Sequence, residues 1–204
     1  MSTRPAAVTA PQDVTGPAVD AERPMRADAR RNYERLLQAA RAALAARGSE
    51  ASMEEIAKSA DVGVGTLYRH FPRRIDLVEA VYRDDVDALV TLADRVSAEA
   101  EPWDALVRWL EGFVAYAQSK RVFLNELHEA FEKNPDLALS SRQKIAHAAG
   151  IVLTRAQQAG VARTDIDQAD LMQLVGGMCM ARNTSLAQNE RLLCLVLDGV
   201  RRVP

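Results

Sequence analysis

The sequence predicts an all-α protein, and three observations carry that expectation. The composition is that of a helix former: 48% hydrophobic and 26% charged, but only 5% aromatic, with alanine supplying much of the apolar share. No segment alternates polar and apolar residues over strand length with β-branched enrichment. Beyond the N-terminal stretch, apolar stripes at helical spacing follow one another, most with a recognisable start or stop.

Residues 1–25 are rich in Ala, Pro, Thr and Val without a period, and Pro5, Pro11, Pro17 and Pro24 interrupt any helix, so a disordered arm is expected. A first helix runs from about Asp28 to Arg47 on the stripe Tyr33, Leu36, Leu37, Ala40, Ala43 and Leu44, with Gly48 as its stop. A second opens at Ser52 with the pattern Ser-Met-Glu-Glu. There the serine hydroxyl and a glutamate carboxylate accept bonds from free backbone N–H groups. A short third helix spans about Val64 to Phe71 and stops at Pro72. The fourth is long, about Arg74 to Ala98, with Ile75, Val78, Val81, Tyr82, Val86 and Leu89 on one side. The fifth starts at Pro102, a residue favoured in a first helical turn. Later helices are expected near Val122–Lys133, Ser141–Gln158, from Asp167 to about Asn183, and near Asn189–Arg201, about nine in all.

Charge is divided unevenly. Residues 26–74 carry ten Arg/Lys against six Asp/Glu, whereas residues 75–204 carry fourteen against nineteen. A short basic module therefore precedes a larger acidic one. Two cysteines, Cys179 and Cys194, rule out a disulfide scaffold, and the three histidines form no zinc-type spacing, so neither metal nor cofactor is expected. The first 25 residues lack a signal-peptide core. The late uncharged run Leu171–Ala181 has eleven residues, whereas a membrane span needs about 20. The expectation is a soluble, cytoplasmic protein with no membrane partner.

The segment Ser52–Phe71 reads SMEEIAKSADVGVGTLYRHF, which is helix, short turn, helix. Ile56 and Ala57 face a core, Ala60 allows close crossing, and Asp61 and Gly63 take the turn. Leu67 and Phe71, four apart, anchor the second helix of the pair, leaving Val64, Gly65, Thr66, Tyr68, Arg69 and His70 outward.

With Arg74 and Leu77 following, Gly65-Thr66-Leu67-Tyr68-x-x-Phe71 resembles the DNA-binding domain of the TetR family of one-component regulators. The resemblance covers about residues 26–80. It implies a helix-turn-helix domain at 26–74 (motif 52–71) and a helical ligand-binding and dimerisation domain at 75–204. It further implies double-stranded DNA with a palindromic operator as partner. Thr66 and Tyr68 would contact phosphates, as would Arg74, and Val64, Gly65, Arg69 and His70 would lie near base edges. Ser52 would cap a helix facing the DNA backbone, and Arg30 and Arg31 would add phosphate contacts. Two positions depart from the family pattern. Asp61 stands where glycine is usual, and Gly63 where serine would cap the third helix.

The resemblance also implies an effector pocket, with Leu106, Phe113, Tyr116, Phe123, Leu127, His128 and Met172 as candidates. Few charges fall on those faces, so a small uncharged or weakly polar organic ligand is expected. A homodimer seam is expected on Gly176, Gly177, Leu193, Val196, Leu197 and Val200. A repressor released by its ligand is the leading reading. A DNA-binding regulator gated by a protein partner, and an enzyme on an all-helical scaffold, stay open at this point.

Overall fold

The computed structural model describes residues 22–181 and 185–202. Nine α-helices lie among the described residues: α1 (Glu22–Arg47), α2 (Met53–Ser59), α3 (Val64–His70), α4 (Arg74–Glu99), α5 (Pro102–Lys120), α6 (Leu124–Lys133), α7 (Pro135–Gln158), α8 (Gln168–Met180) and α9 (Leu186–Val200). Single 3-10 turns at Gly48–Glu50 and Arg121–Phe123 bridge two of the junctions. The described residues include no strand, only an isolated antiparallel bridge between Ala162 and Arg201.

Helix boundaries follow local chemistry. Gly48 ends α1 at a φ of 54°, left-handed backbone that glycine enters without a Cβ penalty. A Cβ there would also lie 2.6 Å from the Val122 carbonyl oxygen, so the end of α1 abuts the turn before α6. Ser52 caps α2 reciprocally: its Oγ accepts from the Glu55 N–H at 3.1 Å, and Glu55 Oε2 accepts from the Ser52 N–H at 3.2 Å. Asp167 opens α8 with the same device.

Four boundaries differ from expectation, one of them the start of α9, which lies at Leu186 behind the Ser185 cap rather than near Asn189. Helix α1 begins at Glu22, so residues 22–25 of the expected arm are helical, and residues 1–21 lie outside the described residues. Helix α7 starts at Pro135 rather than Ser141, because Asn134 accepts from the Leu137 N–H and Pro135 needs no donor in the first turn. Helix α8 stops at Met180, and the expected terminus at Asn183 lies outside the described residues.

The core is continuous through the chain. Helix α4 runs through the centre and packs against α1, α5, α6 and α7, while α8 lies on α5 and α7 and carries α9. Trp109 is fully buried, donates its indole N–H to the Leu89 carbonyl at 3.0 Å and stacks on Phe113. At 26 residues, α4 is roughly 39 Å long and joins the α1–α3 unit to the larger helical body.

Candidate nucleic-acid interface and organic-ligand cavity

Helices α2 and α3 cross over a small apolar plug. Ile56, Ala57 and Leu67 are fully buried, and Phe71 nearly so. Burying a leucine of this kind contributes about 1.5–3 kcal/mol, so the inward face of α3 fixes which residues remain outward. Asp61 adopts the left-handed turn conformation, φ 51°, and Gly63 does not. The Asp61 carboxylate is 99% exposed and reaches Arg35 at 3.5 Å, so it turns back toward α1. Gly63 caps α3 without any side-chain bond, as its missing hydroxyl dictates.

The outward face of α3 carries Val64, Gly65, Tyr68 and Arg69, with Thr66 and His70 half-buried at its edges. Arg69 is exposed and makes no ion pair with the described residues. Tyr68 donates its hydroxyl to Glu54 Oε1 at 2.9 Å. That bond raises the phenol above its ordinary pKa, and slight desolvation adds to it. His70 packs against Tyr33 and Phe71, with ring centroids 5.8 and 6.1 Å away, so it is tied to α1 rather than free to project. Arg30 and Arg31 are exposed near the start of α1 and paired locally, with Glu34 and Asp28 respectively. Ser52 is half-buried in its capping box.

Arg74 departs from expectation. Its guanidinium turns inward, donating to Glu126 Oε1 at 2.6 Å, to the Gly48 carbonyl at 3.0 Å and to the Ala51 carbonyl. It thereby joins the start of α4, the α1–α2 corner and α6. Its geometry is that of an internal strut, and the neighbouring Arg73, two-thirds exposed and paired with Asp76, occupies the surface instead.

Between α4, α5, α6, α7 and α8 lies a cavity of about 470 Å³, within the range of small-molecule sites. Of the expected lining, Phe113, Tyr116, Leu127 and Met172 are on its wall. Leu106 and Phe123 are buried in the core instead, outside the wall. His128 is corrected outright: its side chain is 77% exposed, 3.4 Å from Glu132. It lies one turn beyond Leu124, which stands at the open edge of the cavity, 38% exposed, and at that next turn the helix face has already left the wall. The inward row of α6 is Leu127, Ala130 and Phe131.

Sequence reasoning missed Tyr82, Phe131 and Lys120 on the wall. The aromatic pair was legible as apolar stripe. Lys120 was not, because nothing in its own helix signals burial. It is 5% exposed, contacts Asp85, and lies 5.1 and 5.2 Å from the ring centres of Tyr116 and Phe123. Asp85 in turn accepts from Arg41 of α1 at 2.6 Å. Burial pulls the Lys120 ammonium down to about 7, the Arg41 charge adds to this, and Asp84 opposes it. Burial raises the Tyr116 phenol, with Tyr82 contributing.

The expected seam residues divide. Leu193 and Val200 are buried against their own chain, and Val196 and Leu197 pack partly on the core. Their stripe is the one that holds α9 down, so Leu193 and Val200 are not surface residues. Gly176 and Gly177 line the cavity. The large apolar residues that α8 and α9 leave exposed are Leu174, Met180, Leu186 and Leu195.

Among the described residues, no group of three or more His, Cys, Asp or Glu is placed to hold a metal ion, and no helix is long and apolar enough to cross a membrane. Cys179 is buried, which raises its thiol pKa, and Cys194 is exposed.

A capped helix-turn-helix on a larger all-helical body with an open, aromatic-walled cavity defines a DNA-binding transcriptional regulator. The comparisons agree. Residues 36–81 match the model described as bacterial regulatory proteins, tetR family, and residues 101–202 match that of the SbtR-like transcriptional regulator C-terminal domain. The TetR transcriptional regulator SCO0520 from Streptomyces coelicolor is 37% identical, over 84% of this chain and 99% of that one, with a TM-score of 0.76. A TetR regulatory protein from Mycobacterium vanbaalenii is 33% identical, over 88% and 100%, with a TM-score of 0.71. An HTH-type transcriptional regulator of Staphylococcus aureus is 41% identical over 68 residues; the match spans 33% of this chain and 37% of that relative. The chain belongs to the TetR family of transcriptional regulators.

Proposed function

We propose that this protein is a ligand-released repressor: a homodimer that holds a palindromic operator and leaves it when a small organic molecule fills the cavity. One observation carries the reading. The aromatic-walled cavity includes Tyr82 of α4, the helix whose first residue sits at the base of the DNA-reading unit. A ligand lodged there bears on α4 directly. Tilting a rigid helix of that length changes the spacing of two recognition helices in a dimer, and half-sites tolerate little mismatch. The ligand must favour the DNA-incompetent spacing, and operator DNA must then weaken ligand binding by the same factor.

Residues 26–74 form the reading module and residues 75–204 the sensing and dimerising one. Tyr68 and Thr66 bind phosphate, with Arg30, Arg31 and the cap at Ser52 alongside. Val64, Gly65 and Arg69 meet base edges, His70 stands at their margin, and Arg73 takes the phosphate role first expected of Arg74. The dimer forms across the exposed face of Leu174, Gly177 and Leu195, where Gly177 lets helices approach closely. The protein acts in the cytoplasm, where its operator lies.

The test is a gel shift with the DNA upstream of its own gene. A two-fold-symmetric site bound far more tightly than random DNA of equal length supports the reading. Equal affinity for both refutes it.

A further inference from the structure

Among the described residues that line the cavity, only Lys120 bears a charge. The rest of the wall supplies Tyr82, Phe113, Tyr116 and Phe131, which suit a flat or ring-shaped apolar body. We propose that the effector is an organic monocarboxylate, an apolar ring system whose single carboxylate pairs with Lys120. This rests on the reading of the cavity as the effector site and narrows the small organic ligand to one chemical class.

Three features support it. An ammonium has three donors, and the bond from Lys120 to Asp85 uses one of them. The remaining directions face the rings of Tyr116 and Phe123, which attract a cation but accept far more weakly than a carboxylate. Asp85 does not depend on Lys120 alone. Arg41 Nε also donates to it, so the lysine can turn toward a ligand without stranding a buried carboxylate. Burial outweighs the neighbouring acids and leaves the ammonium easier to deprotonate than usual. An added anion relieves that deficit, whereas an added cation deepens it.

The same geometry connects ligand charge to the DNA-reading unit. Asp85 is shared between Lys120 of α5 and Arg41 of α1, and Arg41 also holds Asp84 at 2.5 Å. A carboxylate that draws Lys120 away breaks the α4–α5 pairing at Asp85 and leaves that carboxylate to Arg41 of α1.

The experiment uses the full-length protein without DNA and three probes on one ring system: naphthoate, naphthyl methyl ketone and naphthylmethylammonium. Binding is read by calorimetry and by the ligand-induced rise of the unfolding midpoint. The expected result is naphthoate bound at least about tenfold more tightly than the ketone, with the ammonium weakest. Lys120→Met should abolish the difference between naphthoate and ketone while leaving ketone affinity within about twofold. The double variant Lys120→Met/Asp85→Asn, which leaves no unmatched charge in the pair, should behave alike if the single variant folds poorly. Equal binding of acid and ketone, or an acid preference that survives both variants, overturns the carboxylate class but leaves the effector cavity standing. Failure of all three probes to bind overturns the cavity reading and the inference with it.

Discussion

Replacing Arg74 separates two roles that the sequence alone could not distinguish. If Arg74 grips DNA phosphate, its loss weakens binding and lowers the salt dependence. If it is the strut described above, its loss weakens the fold. The structure favours the second. Arg74 and Glu126 are 28% and 17% exposed and 2.6 Å apart, and the guanidinium also serves two backbone carbonyls. Breaking a fully buried pair costs about 3–5 kcal/mol. Partial exposure lowers this, and about 2–3 kcal/mol is expected for Arg74→Met. Glu126 is poorly placed to absorb the change, because its Oε2 is already buried without a hydrogen-bond partner. For a chain of this length, each kcal/mol moves the unfolding midpoint by about 2–4 °C, so a fall of roughly 5–10 °C is expected. The double variant Arg74→Met/Glu126→Leu should recover much of it, since no carboxylate is then left unmatched. The assay pairs thermal unfolding by circular dichroism with operator binding across a salt series. A log–log salt slope that drops by about 0.9 while the midpoint stays fixed would show a phosphate contact and refute the strut.

Three further outcomes follow from the same geometry. Leu195→Asp on the exposed face of α9 should yield a folded monomer in sedimentation, whereas Leu193→Asp should lower the unfolding midpoint, because an unpaired buried carboxylate has no partner. A dimeric Leu195→Asp protein would move the seam elsewhere. Phe113→Ala removes a 7%-exposed ring and its stack on Trp109, and should cost about 3–5 kcal/mol in denaturant unfolding. Unchanged stability would show that the ring is not packed as described. Asp61→Gly relieves left-handed backbone at φ 51° and should stabilise by up to about 1 kcal/mol in denaturant unfolding. Lower stability would show that the contact with Arg35 outweighs the strain.

The reading unit was legible because its signals are local. The Ser52 box, Gly48, Pro72 and the four-residue spacing of Leu67 and Phe71 act within one or two helical turns, and the structure forms the Ser52 box and buries Leu67 and Phe71. The start of α7 is equally local: Asn134 caps the helix and Pro135 opens its first turn, six residues ahead of the apolar spacing that marks Ser141. What failed depends on distant partners. Arg74 turns inward because Glu126 waits fifty-two residues on, and Lys120 is buried because Asp85 comes from another helix. Helical spacing grouped His128 with Leu124, Leu127 and Phe131, but those three line the cavity and His128 does not, because α6 turns that position to solvent. In α9 the spacing identified an apolar stripe without saying whether it faces its own chain or a second copy, and Leu193 and Val200 face their own.

The central claim is that the outward face of α3 reads DNA as part of a symmetric pair. Footprinting of the upstream region by wild-type protein and by the Tyr68→Ala/Arg69→Ala variant tests it most directly, with circular dichroism verifying the fold. The account predicts protection of two half-sites related by a two-fold axis and lying on one side of the duplex, lost in the folded variant. The same protection by both proteins would contradict it.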